Sequence, residues 1–264
     1  MEPGKGCMER RTNRDVAFTC GRWPLDPKRS TLVFIHGAGE TSRLWNAQVE
    51  GLKDRVNTVA LDLPGHGRSG GSARQTVPDY AAVLVDFITT LAAPRPIPCG
   101  LSMGGAITQQ LLLDHAARFR AGIIVSSGAK LRVLPPLFDM IDTDMRAYVD
   151  MIDRLGFSEK TPTSVKQPFL ENSFKATPRV AHGDFKACDQ FDVMERVGAI
   201  RVPVLVISAE DDTLTPPKYG EFLERSIPTA VRAHIRDAGH FVPIEKPLEV
   251  NAAIIGFLDA NKIY

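Results

Sequence analysis

The chain has 264 residues, 44% hydrophobic and 24% charged, which suits one compact domain with a modest insertion and excludes wholesale disorder. Lysine plus arginine number 32 against 31 aspartates plus glutamates, a formal charge of +1; with no basic run and no interleaved aromatic cluster, nucleic acid is not an expected partner. The first residues hold no apolar stretch of signal-peptide type, and nowhere do about eighteen apolar residues run together, so neither a signal peptide nor a membrane span is expected. Cys7, Cys20, Cys99 and Cys188 stand far apart without CxxC or Cys/His clustering, which argues against a zinc site or disulfide framework and for a reducing, cytoplasmic setting.

Taken in chain order, strand-like runs rich in Val and Ile fall at 15–20, 31–35 and 56–61, then in a short piece ending at Cys99, then at 121–126, 202–208 and 231–236. Apolar residues at helical spacing fall between them at 80–91 and 105–119, and after the last at 248–258. This alternation predicts an α/β fold with a mostly parallel central sheet and helices on both faces. The run Pro94-Arg95-Pro96-Ile97-Pro98-Cys99 predicts a strand that is short or only partly paired, because proline cannot donate to a ladder.

The alternation stops after Ser127. Leu137, Ile141, Met145, Tyr148, Ile152 and Leu155 recur at steps of three and four, predicting one amphipathic helix with Asp142, Asp144, Asp150 and Asp153 mostly on its other side. Pro135-Pro136 opens it and Gly156 ends it; Pro162, Pro168 and Pro178 then limit the remainder to short helices and turns. The expected organisation is a core of residues 1–128 and 190–264 with a helical cap inserted at 129–189.

Gly100-Leu101-Ser102-Met103-Gly104 fits G-x-S-x-G where a strand gives way to a helix. On such a turn the backbone of Ser102 is strained, and small neighbours let strand and helix approach while its hydroxyl is held out. A serine hydroxyl needs a general base and an acid to orient that base. Of six histidines, His240 lies on the loop after the last strand and is the candidate base; structural or surface roles suit His36, His66, His115, His182 and His234 better. The acid is sought after the strand 202–208, within Ala209-Glu210-Asp211-Asp212; Asp212 is preferred, with Asp211 and Glu210 as alternatives. Backbone N–H groups of Met103 and of Ala38, in the loop His36-Gly37-Ala38-Gly39, are candidates to stabilise an oxyanion. That loop lacks both G-x-G-x-x-G spacing and a P-loop lysine, so nucleotide binding is unsupported.

These pieces, with Asp62-Leu63-Pro64-Gly65-His66-Gly67-Arg68-Ser69, Asp212-Thr213-Leu214-Thr215-Pro216 and Gly239-His240, resemble the α/β-hydrolase fold superfamily from about residue 15 to the end, except the cap. Cys99 to Ala106 and Ser127-Gly128-Ala129-Lys130 look like its 3-oxoadipate enol-lactonase and carboxylesterase branch. The resemblance implies a serine hydrolase without cofactor or metal, cleaving a small ester or lactone through an acyl-enzyme, and a structural role for the 64–69 loop. Dehalogenases and epoxide hydrolases of this fold carry an aspartate where Ser102 stands, which disfavours both chemistries. A carbon-carbon hydrolase of ring-fission products is an alternative, weakened because Gly39 is followed by Glu40-Thr41-Ser42 rather than Gly-Pro-Gly; a catalytically weak ligand receptor is another. Leu101, Leu137, Met140, Ile141 and Met145 are the candidate pocket residues.

Overall fold

The computed structural model describes residues 8–173 and 176–264; the opening residues read above for a signal peptide, and Cys7 among them, lie outside this range. In chain order the elements are β1 (Glu9–Asn13), β2 (Val16–Cys20), β3 (Thr31–Ile35), α1 (Asn46–Leu52), β4 (Asn57–Leu61), α2 (Val77–Leu91), β5 (Pro96–Leu101), α3 (Met103–Asp114) and β6 (Gly122–Val125). There follow α4 (Pro135–Thr143), α5 (Met145–Gly156), α6 (Thr163–Ser173), α7 (Pro178–Asp189), β7 (Val204–Ala209), α8 (Pro217–Ser226), β8 (Ala230–Ile235), α9 (Val242–Glu245) and α10 (Pro247–Ala260).

The described strands form one sheet in the order β1-β2-β4-β3-β5-β6-β7-β8. Strand β2 runs against both neighbours, and every pairing from β4 to β8 is parallel, so the mostly parallel sheet expected from the sequence is present. Successive side chains of a strand point to opposite faces. In β3, Leu32 and Phe34 join a buried cluster with Val49 and Leu52 of α1 and Val250 and Ile254 of α10, while Val33 and Ile35 join Tyr80 and Leu84 of α2 and Ile107 and Leu111 of α3. Helices therefore cover both faces. Because β3, β5, β7 and β8 are parallel, the loops that follow them open at one edge of the sheet, where ligands of such sheets bind.

Two differences from the sequence expectation, and the partial pairing that it anticipated, have physical causes. Strand β1, unanticipated, carries no apolar residue; it pairs with β2 from Glu9↔Cys20 to Asn13↔Val16 as a charged edge strand. Strand β5 pairs with β3 from Thr31↔Pro96 to Ile35↔Gly100 but with β6 only from Cys99 to Leu101. The Pro96 carbonyl accepts from Arg120 N–H at 3.3 Å on the β6 side, so Pro96 and Pro98, two residues apart, both turn toward the unladdered side and partial pairing accommodates them. Finally, the helix expected over 135–156 is two, because Asp144 leaves helical geometry (φ −149°, ψ 81°) and its Oδ1 accepts from Arg146 and Ala147 N–H at 3.1 and 3.0 Å, capping α5. Helix α6 continues through Pro168, and Pro178 opens α7.

Candidate active site

Ser102 joins β5 to α3 with φ 55° and ψ −116°, the strained region that a strand-to-helix elbow imposes. The approach of the two elements is close: a Cβ on Gly100 would lie 1.9 Å from the Gly104 carbonyl oxygen, and one on Gly104 would lie 2.3 Å from that of Ile35. Val125 carbonyl accepts from Ser102 N–H at 3.0 Å, and Ser127 Oγ donates to the Ser102 carbonyl at 2.8 Å, so the elbow is held on both sides.

His240 and Asp212 are both buried, and Nδ1 of the imidazole lies 3.1 and 3.0 Å from the two carboxylate oxygens. Thr215 Oγ1 lies 3.1 Å from the same nitrogen and donates to Asp212 Oδ2 at 2.8 Å. The N–H groups of Leu214 and Thr215 donate to Asp212 Oδ1 at 3.0 and 2.8 Å. Burial alone would lower the pKa of His240, but the Asp212 charge and hydrogen bond, with the Glu40 charge, raise it above its ordinary value. Burial likewise opposes ionisation of Asp212, and the His240 charge with the hydrogen bonds from His240 and Thr215 outweighs it and lowers its pKa. Of the alternative acids, Asp211 accepts from Ser158 Oγ at 2.6 Å and Glu210 accepts from Asp237 N–H at 3.2 Å; neither is bonded to His240.

Ser102, His240 and Ala38 line one cavity of about 480 Å³. Its walls are mainly apolar and come largely from the segment between β6 and β7, with Leu137 and Met140 from α4 and Met151, Ile152 and Leu155 from α5. Two of the five pocket residues read from the sequence, Leu137 and Met140, therefore face it. The other three do not. Leu101 and Ile141 are fully buried in the core cluster of the α1/α10 face, and Met145 packs against that cluster. Helical spacing identified the apolar face without separating the part over the cavity from the part over the core. Phe185, Leu214 and Phe241 are also part of the apolar wall.

The loop after β3 is a tight turn: Glu40 N–H bonds the Gly37 carbonyl at 3.4 Å, and Gly39 has φ 71°, the left-handed conformation a type II turn requires at its third residue. Carboxylates hold it from two sides. Glu40 Oε2 accepts from Gly37 N–H at 3.1 Å, and Asp184 Oδ2, from α7, accepts from Gly39 N–H at 2.8 Å. The N–H groups of Ala38 and Met103 have no acceptor among the described residues. Asp184 also bonds His66 Nε2 at 2.7 Å and accepts from the Tyr80 hydroxyl. Burial opposes the charge on His66, yet the Asp184 carboxylate raises its pKa; in His36, burial and the neighbouring His66 charge lower it to about 4. His182 bonds Asp142 and His234 bonds Ser208, and of the six histidines only His240 lines the cavity.

No group of three or more His, Cys, Asp and Glu among the described residues is placed to hold a metal ion, and no described helix is long and apolar enough to cross a membrane. A model of the alpha/beta hydrolase family matches residues 32–253, which include every residue of the cavity. The chain belongs to that family. Within it, the chain is 25% identical over 244 residues to 3-oxoadipate enol-lactonase 1 of Acinetobacter baylyi, covering 86% of this chain and 88% of the relative. A thermophilic esterase of known structure is 29% identical, with a TM-score of 0.80 over 96% of this chain and 98% of that one. The enol-lactonase from Burkholderia xenovorans LB400 shares the fold, with a TM-score of 0.85 at 22% identity over 95% of this chain and 100% of that one.

Proposed function

We propose that this member of the family is a serine hydrolase that cleaves a small carboxylic ester or lactone through an acyl-enzyme, with Ser102 as nucleophile, His240 as base and Asp212 as the acid that orients it. The observation that carries the reading is the buried Asp212–His240 pair, 3.0 Å apart, whose imidazole lines the same cavity as a serine on a strained elbow. With Nδ1–H directed to Asp212, Nε2 is the acceptor for the serine proton.

In this mechanism Ser102 Oγ bonds to the substrate carbonyl carbon as its proton passes to His240 Nε2, and the carbonyl π pair moves onto oxygen. The oxyanion is received by Ala38 and Met103 N–H. Collapse breaks the bond to the alkoxy oxygen, which takes the proton from His240, leaving an ester on Ser102. Water then attacks that ester, giving its proton to His240, and the acid leaves as the proton returns to Ser102. Helices α4 to α7 serve as the cap that excludes bulk water from these steps. The lactonase and esterase relatives support an oxygen ester as the bond cleaved.

A fluorophosphonate probe tests the reading directly. The expected result is one label on Ser102, abolished by Ser102→Ala, together with a loss of ester turnover on the order of a millionfold. An unlabelled wild-type protein, or a Ser102→Ala variant keeping more than about a tenth of the activity, would overturn it.

A further inference from the structure

Three buried carboxyl groups belong to the active-site loops or bond to them, and the one that lines the cavity, Glu40, is satisfied far less than the others. Asp184 receives Gly39 N–H, His66 Nε2 and the Tyr80 hydroxyl. Asp212 receives Leu214 N–H, Thr215 N–H, Thr215 Oγ1 and His240 Nδ1. Glu40, 3% exposed, receives only Gly37 N–H, on Oε2. No described residue donates to its Oε1. A carboxyl group has two oxygens with about four lone-pair sites, and Oε1, which is not sealed from the cavity, is left without a protein donor and open to a partner there.

The shortfall is located where a ligand could remedy it, because Glu40 lines the cavity that holds Ser102 and His240. Most of the remaining wall is apolar: Leu137, Met140, Met151, Leu155 and Phe185 contribute nothing polar. The shape of the 37–40 turn accounts for Oε2 alone. Burial raises the pKa of the group from 4.5 to about 7, so near neutrality it presents an acceptor oxygen in either protonation state.

We propose that Glu40 is a specificity-determining residue whose Oε1 accepts a hydrogen bond from a hydroxyl or amide N–H on the bound ester, so that preferred substrates carry a polar donor on an otherwise apolar acyl or alcohol part. This rests on the ester hydrolase reading. A site built to bond a donor discriminates strongly against the analogue lacking it, since its own polar group is then left unpaired, whereas an apolar wall reads an added methylene weakly.

The test compares kcat/KM of the full chain for ethyl butanoate, its 2-, 3- and 4-hydroxy derivatives, and 2-hydroxyethyl butanoate, each hydroxy ester beside its deoxy parent and its methyl ether, which can accept but not donate. At least one hydroxy ester is expected to exceed both counterparts by about tenfold. Glu40→Leu should bring that ratio near one, and Glu40→Gln, which keeps an acceptor oxygen, should retain part of it. Hydroxy esters that all fall within about twofold of their parents in the wild type, or a ratio that survives Glu40→Leu, would overturn the proposal; the wild-type comparison decides even if the leucine variant does not fold. Turnover without preference removes the recognition role alone. No turnover of any ester, with no labelling of Ser102, removes the hydrolase reading and this proposal with it.

Discussion

Two adjacent aspartates with different partners allow a sharp comparison. Asp212→Asn keeps the shape of the side chain but removes the charge that orients His240 and stabilises its protonated form, so turnover should fall about ten-thousandfold. Asp211→Asn alters a bond to Ser158 Oγ and should change turnover only a few-fold. Steady-state kinetics on the two variants check the ranking, and a reversal would move the acid to Asp211. As the proposed base, His240 would work only when neutral, and its pKa is raised above 6.5; the acidic limb of the pH dependence of kcat/KM should therefore have its midpoint above pH 6.5. Glu40 gives a stability signature of known sign. Its pKa is raised from 4.5 to about 7 on folding, so the folded chain binds this proton more tightly than the unfolded one, and stability declines as pH rises through that window. Glu40→Gln removes the titration. Its stability relative to wild type should improve between pH 4.5 and pH 8 by an amount on the order of 3 kcal/mol, measured by urea melts at both pH values.

At the scale of elements, the segment between β6 and β7 divides into residues that pack and residues that face the cavity. Ile141 has no exposed surface, and Ile141→Ala should destabilise by about 2–5 kcal/mol while leaving the preferred acyl chain length unchanged. Met140→Ala and Met151→Ala enlarge the cavity itself and should move that preference toward longer chains. A panel of p-nitrophenyl esters, read beside thermal melts, separates the two effects; a shift with Ile141→Ala and none with the methionines would reverse the assignment. Asp144→Ala should cost about 1 kcal/mol by removing the cap of α5. What the sequence made legible follows from what each pattern encodes. Parallel strands buried on both faces appear as Val and Ile runs, which placed the loop carrying Asp212 after β7; Ser102 was placed instead by the G-x-S-x-G turn after a proline-rich piece, and His240 by its position after the last strand-like segment. Strand β1 was illegible because Glu9-Arg10-Arg11-Thr12-Asn13 contributes backbone pairing and no apolar face. The break at Asp144 was hidden because Ile141 before it and Tyr148 and Ile152 after it enter the same core cluster, so the period continues across a capped boundary. Glu40 was visible as an unusual residue after the glycines, but its place in the wall of a cavity that Tyr148 of α5 and Phe185 of α7 also line is a long-range arrangement no local pattern reports.

Over the whole molecule, Asp184 ties the inserted helices to the sheet. From α7 its carboxylate reaches the loop after β3 through Gly39 N–H, the loop after β4 through His66, and α2 through Tyr80. The charge it balances is that of His66, because His36, whose ring centroid lies 4.9 Å away, is held neutral: its Nε2 accepts from Leu63 N–H at 3.0 Å and its pKa is lowered to about 4. Asp184→Asn preserves the shape of the network and removes the counter-charge, leaving a buried imidazolium unpaired, a loss on the order of 3–5 kcal/mol. The sign with pH follows from linkage. The pKa of His66 is raised on folding above 6.5, so the stabilisation it brings is complete below pH 6.5 and is lost as pH rises through its folded value. The penalty of Asp184→Asn should accordingly be larger at pH 6 than at pH 9, where His66 is neutral or nearer to it in both proteins. Urea unfolding of the two proteins at these pH values measures it. Equal penalties at both would mean that Asp184 acts through Gly39 and Tyr80 alone. Because Gly39 N–H also depends on this carboxylate, the variant should lose kcat by more than its folded fraction accounts for, a loss expected only if the same link that anchors α7 also sets the position of Ala38 N–H.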